Sequence, residues 1–284
     1  MSGPVAAMLP GGRLHLQHGP IDLVIGAEGG REAAFRAAAR RFETVLEELV
    51  GALELLRQPV SPAMTDPREE TARRMVRAAR TLAAREFLTP MAAVAGSVAE
   101  TVLDAMRAAA PLRRAYVNNG GDIALHLAEG ETYTAQIAGP DGQAFGRVTI
   151  TANDPVRGIA TSGRHGRSLS LGIADSVTVL AATASEADAA ATLIANAVDL
   201  PGHPAITRRP ANAVRDDSDL GTRAVVTACG ALARADRDTA LLGGLRRASD
   251  FRARGKIFGA ALFLQGEARM LGPIDCPLET LTHA

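Results

Sequence analysis

The sequence predicts an α+β fold, with mixed or antiparallel sheets packed against helices, and three observations carry that expectation. Helical and strand patterns come in clusters and do not strictly alternate, which disfavours a doubly wound parallel sheet. Apolar residues make up 47% of the 284 positions, enough for a substantial core. Aromatics are only 3%, Trp is absent and Ala is abundant, so the core is expected to be small aliphatic side chains between closely packed helices.

The elements follow in order. Residues 13–28 alternate loosely around His18-Gly19-Pro20 and read as an N-terminal hairpin. Over 31–57 the apolar positions Phe35, Ala38, Phe42, Val45, Leu49, Leu53 and Leu56 step by three or four, which predicts a helix. It ends at Gln58-Pro59, since proline disfavours α geometry in the residue before it. A linker over 58–67 leads to a basic helix over 68–86, whose arginines Arg73, Arg74, Arg77, Arg80 and Arg85 read as a solvated face. A third helix covers 91–110, with Gly96 and Ser97 permitting close approach of another backbone or a ligand. Strands are expected at 114–118, 122–128, 132–138, 145–151 and 174–182, then a helix at 185–198. The tail over 219–271 reads as a helix, a strand over 257–264 and a short strand near Met270. No repeat or inter-domain linker stands out, so a single domain over 1–284 is expected.

Lys+Arg and Asp+Glu number 31 each, so no global field draws the chain to nucleic acid or an acidic membrane. Sparse aromatics also argue against stacking on single strands. Cys229 and Cys276 lie in no metal-binding spacing, and two cysteines in a chain of this size read as free thiols. No apolar run approaches a membrane span and no signal-peptide pattern opens the chain, so a cytoplasmic protein is expected.

Three constellations could carry chemistry. Asn118-Asn119-Gly120-Gly121-Asp122 lies between two strand patterns. It reads as a hairpin turn centred on Asn-Gly, or as bare backbone N–H groups brought near a ligand. Thr161-Ser162-Gly163-Arg164-His165-Gly166-Arg167-Ser168 gathers hydroxyls, glycines, arginines and a histidine. Such a loop can cradle an anion, and His165 could act as a proton-transfer group, although a solvated loop histidine is the ordinary reading. Asp188 and Thr192 are one helical turn apart and could offer two oxygens to a hard cation. Ser185 and Asp188 also have capping-box spacing, so helix capping competes for the same carboxylate.

Taken together and in order, these segments resemble the ApbE-like flavin-transferase superfamily. The shared features are Gly120-Gly121-Asp122, Thr161-Ser162-Gly163, Ser176-Val177-Thr178-Val179, and Ala187-Asp188 with Thr192; Gly96-Ser97-Val98-Ala99 resembles the family's Gly-Gly-Ile-Ala segment. The resemblance implies that Mg2+ and FAD are the cofactors and that FMN is moved onto a protein hydroxyl. Carried over by position, it puts Asp188 and Thr192 at the Mg2+. It puts Asn119, Gly120, Gly121, Asp122, Thr161, Ser162 and Gly163 against the dinucleotide, and makes His165 the catalytic candidate. The implied partners are a flavin or related small-molecule cofactor and an acceptor protein, with a homodimer left open.

Two departures matter. Glu100 stands where the family has lysine, and Ser168-Leu169-Ser170-Leu171-Gly172 replaces an Asp-Pro-x-Thr-Gly segment. The pattern is similar to a functionally uncharacterised branch of the superfamily. The alternative is therefore a non-transferase ligand-binding protein, or an enzyme of another cofactor pathway (pterin or one-carbon), using the same pocket.

Overall fold

The computed structural model describes residues 3–83, 86–138 and 144–274. The chain begins with strands β1 (Val5–Leu9), β2 (Arg13–His18) and β3 (Ile21–Gly29), followed by helices α1 (Arg31–Gly51), α2 (Leu53–Leu56) and α3 (Glu70–Leu82). A 3-10 turn, Pro90–Ala93, opens α4 (Val94–Ala109). Strands β4 (Leu112–Asn119), β5 (Asp122–Leu127), β6 (Thr132–Ala138), β7 (Ala144–Thr151), β8 (Gly158–Ser162) and β9 (Ser176–Ala181) come next. After them run α5 (Ala184–Ala197), β10 (Ile206–Pro210), β11 (Ala224–Cys229), α6 (Arg234–Ala253), β12 (Gly259–Leu264) and β13 (Glu267–Leu271). Helices and strands are clustered, as the α+β expectation requires.

The chain forms two compact units. The first takes in the chain to Tyr133, with Thr149–Ala160 and Ala181–Ala189. The second takes in Thr134–Val148, Thr161–Leu180 and the chain from Ala190. The chain crosses between them several times, which is why no linker is legible in the sequence.

In the first unit, β1 to β5 pair in sequence order, each antiparallel to the next, and Ile123 of β5 pairs with Ile159 of β8. The apolar stripe of α1 (Phe35, Ala38, Phe42, Val45 and Leu49) is buried as the periodicity predicts. Fully burying a side chain such as Phe42 contributes about 1.5–3 kcal/mol. The predicted 31–57 helix is broken at Gly51-Ala52, where Ala52 leaves helical geometry. On α3, Arg74 is not a solvated cation. It pairs with Glu70 at 2.5 Å, Asp104 at 2.7 Å and Glu100 at 3.0 Å. Arg80 pairs with Asp66, whereas Arg85 lies outside the described residues.

In the second unit, β12 lies between β9 and β13, antiparallel to both. Val177, Val179, Leu262 and Leu264 are buried there, with Leu241 and Phe251 of α6. A Cβ on Gly244 would meet Val198 at 2.3 Å and Leu262 at 2.6 Å, so the small residue sets the helix-to-sheet distance. Strands β10 and β11 form a separate antiparallel ribbon with a register shift at Thr207/Arg208. Cys229 is a free thiol whose pKa burial pushes up; Cys276 lies outside the described residues. No helix among the described residues is long and apolar enough to cross a membrane.

Candidate functional site

The start of α5 decides the competition for Asp188. Thr183, directly before the helix, accepts the Glu186 N–H at 3.3 Å and donates its hydroxyl to Glu186 Oε2 at 3.1 Å. Thr183 is thus the N-cap, with Glu186 at the third helical position bonded to its hydroxyl, two residues upstream of the Ser185/Asp188 pair expected from spacing. Ser185 is engaged elsewhere: its N–H and hydroxyl both donate to Glu100 Oε1, at 2.7 and 3.0 Å. Asp188 is thereby released from capping. Its Oδ2 accepts the Gly96 N–H of α4 at 3.0 Å.

Gly96 makes that contact possible. A Cβ there would sit 2.2 Å from the Ala184 carbonyl oxygen and 2.8 Å from the Ser185 nitrogen, both backbone atoms. The backbone approach expected at Gly96 is therefore between α4 and the start of α5.

Asp188 is partly accessible to solvent yet closely surrounded by protein. Loss of solvation drives its pKa well above the ordinary carboxyl value, with the Asp122 charge second and Glu100 contributing. The N–H groups of Gly96 and Ala95 oppose the rise. Glu100 is itself neutralised by Arg74 and held by Ser185, so the reversed charge noted in the sequence is a buried structural anion.

The Gly-Gly turn borders the same place in the first unit. Asn119 pairs with Asp122 across the hairpin, which leaves Gly120 and Gly121 as the two turn residues, at φ +65° and +112°. The turn is thus centred one residue later than an Asn-Gly reading implies, because both positions demand positive φ and glycine supplies it. Asn118 Oδ1 accepts the Gly121 N–H at 2.8 Å, and buried Asn119 donates to the Ala95 carbonyl at 3.2 Å. Open space lies beside Gly121.

Among the described residues, no three His, Cys, Asp or Glu side chains gather closely enough to hold a metal. What Asp188 offers is one carboxylate with the charges of Asp122 and Glu100 nearby. An oxygen donor among acidic neighbours suits a hard cation and not a soft one.

In the second unit, the loop after β8 is built around a residue that the sequence reading did not single out. Thr161 and Thr178 share a hydroxyl hydrogen bond of 2.9 Å. Gly163, at φ +153°, lies where a Cβ would be 2.4 Å from the Asp175 carbonyl oxygen. Arg164 places Nε and Nη2 at 2.8 and 2.6 Å from Asp175 Oδ1, and the exposed His165 places Nε2 3.2 Å from the same oxygen. The Arg164 charge is therefore answered by Asp175. The available signal was an acid directly preceding the buried strand β9. Half-buried Ser162 follows Thr161 at the end of β8.

Comparison with known proteins places this geometry. Residues 6–270 match the model of the family described as AbpE bacteria. A UPF0280 protein from Methanosarcina acetivorans is 36% identical over 132 residues, 46% of this chain and 50% of that protein. A UPF0280 protein from Methanopyrus kandleri is 41% identical over 107 residues, 38% of this chain and 42% of that one. The chain spans about half the length of the curated relatives it matches. Among solved structures, the ApbE protein from Thermotoga maritima superposes with a TM-score of 0.50 at 11% identity, covering 94% of this chain and 97% of that one. At that identity the likeness shows the fold alone. With the family match running through both units, the chain belongs to the AbpE bacteria family and has an ApbE-like α+β fold.

Proposed function

We propose that this chain handles a flavin dinucleotide with the help of Mg2+, moving the FMN part of FAD onto a hydroxyl of an acceptor protein. The observation that carries the reading is Asp188: capping is done by Thr183 and Glu186, and its carboxyl sits among like charges that a cation would relieve. In this reading Asp188 and Thr192 hold the Mg2+, which supplies charge neutralisation on a pyrophosphate. Asn119, Gly120, Gly121 and Asp122, with Thr161, Ser162 and Gly163, contact the dinucleotide. The acceptor oxygen bonds to the FMN-side phosphorus, the P–O bond to AMP breaks, and AMP leaves with the electron pair. His165 takes the hydroxyl proton, a task an imidazole nitrogen can perform as general base. The ApbE resemblance supports these assignments position by position.

One observation favours a second reading, a non-transferase protein or an enzyme of a pterin or one-carbon pathway. Glu100 occupies the lysine position of the resemblance, and Arg74 and Ser185 hold its carboxylate there. No cation at that position is left to meet a polyphosphate. Incubation with FAD, Mg2+ and acceptor proteins separates the two. The transferase reading expects AMP release that Asp188→Ala abolishes, whereas no AMP with any acceptor contradicts it.

A further inference from the structure

Asp175 joins three segments of the second unit. It is almost fully buried, and its own N–H donates to the Phe263 carbonyl at 2.9 Å. Its Oδ1 takes the guanidinium of Arg164 and the Nε2 of His165, while its Oδ2 accepts the Gln265 N–H at 2.5 Å. Gln265 is unusual. Among the described residues it is the one non-glycine at positive φ, +45°, in the two-residue turn between β12 and β13. Asn or Gly would suit that backbone better. The Gln side chain accounts for its presence: Oε1 accepts the Leu232 N–H at 2.9 Å and Nε2 donates to the Gly230 carbonyl at 2.7 Å. A disfavoured backbone conformation held by two side-chain bonds aims one main-chain N–H at Asp175.

We propose that Asp175 is the positioning residue of His165: it fixes the ring as the Nε2–H tautomer, so that Nδ1 is the nitrogen offered as proton acceptor. A carboxylate paired with a guanidinium can only accept hydrogen bonds, so His165 Nε2 must carry the proton. With Oδ2 committed to Gln265, the carboxylate cannot rotate away, and the ring is anchored although the His165 side chain is exposed. The tautomer stands on this geometry alone; its use in proton transfer rests on the function proposed above.

The test is a long-range proton–nitrogen correlation spectrum of histidine-labelled protein at alkaline pH, with the His165 signals identified by their loss in His165→Gln. The expected spectrum shows Nε2 protonated and Nδ1 bare. Asp175→Ala removes both acceptor oxygens, so the signature should average between the two tautomers. A wild-type ring that is averaged or protonated at Nδ1 overturns the proposal, and so does an Asp175→Ala ring that stays unchanged. If Asp175→Ala does not fold, the wild-type spectrum decides by itself. In the AMP-release assay, Asp175→Asn should lower kcat by about 10- to 100-fold, less than the ~10²- to 10⁴-fold of general acid–base catalysis as a whole because His165 itself remains, with KM for FAD unchanged. A loss confined to KM overturns the positioning role. A fixed Nε2–H tautomer in a wild-type protein that releases no AMP upholds the tautomer and refutes the reaction.

Discussion

Substituting Gly96 by alanine tests whether α4 and α5 are held in contact for the sake of Asp188. The added Cβ would lie 2.2 Å from the Ala184 oxygen, 2.5 Å from its carbon and 2.8 Å from the Ser185 nitrogen. All three are backbone atoms, so no rotamer change relieves the clash and the helices must part. Overpacking of this kind costs about 1–3 kcal/mol. Parting also lengthens the Gly96 N–H to Asp188 bond, and a hydrogen bond to a charged group contributes about 1.5 kcal/mol at its lower end. Alanine's better helix propensity offsets about 1 kcal/mol. The net loss is about 1.5–3.5 kcal/mol, a fall in Tm of roughly 3–12 °C. Gly51→Ala is the control, since a Cβ there meets nothing within 4 Å; it should gain about 0.5–1 kcal/mol. Differential scanning calorimetry of both variants decides the matter. A Gly96→Ala protein that melts at or above wild type would refute the close-contact argument.

Three further outcomes are expected. Asp188→Asn should raise Tm at neutral pH without Mg2+. Because the folded pKa lies above the ordinary 3.8, stability falls as pH rises through the unfolded value, and the amide escapes this. The Tm difference between variant and wild type should therefore be small near the ordinary carboxyl pKa and grow toward neutrality; a pH-independent difference contradicts the assignment. Thr183→Ala should cost about 1 kcal/mol in denaturant melts, through loss of the bond that its hydroxyl makes to the Glu186 N–H. Glu100→Ala strands the Ser185 N–H and removes one of three carboxylates around the partly exposed Arg74. The expected loss is about 2 kcal/mol, below the ~3–5 kcal/mol of a fully buried pair because Glu70 and Asp104 remain.

The long amphipathic stretches were legible because their signal is periodic: α1, α4 and the β2–β3 hairpin follow from side-chain spacing alone. Strands β1, β8, β10 and β11 were not, because five- or six-residue segments such as Gly158–Ser162 carry too little alternation to stand apart from loops. At the site, residue types were legible and partners were not. Spacing nominated Ser185/Asp188 as a capping box, but the helix begins one residue earlier and Thr183 takes the role. Glu100 read as a reversed charge beside a ligand, yet Arg74, 26 residues upstream, neutralises it. Asp175 carried no motif, since its importance comes from Gln265, 90 residues away. Long-range pairing of polar groups leaves no local periodicity to detect.

The most direct measurement of the account is calorimetric titration of Mg2+ into the wild-type protein and Asp188→Ala, each with and without FAD. The account predicts saturable Mg2+ binding to wild type that FAD strengthens, and neither effect in the variant. Equal Mg2+ binding by the two proteins, or FAD binding indifferent to both the cation and Asp188, would contradict it.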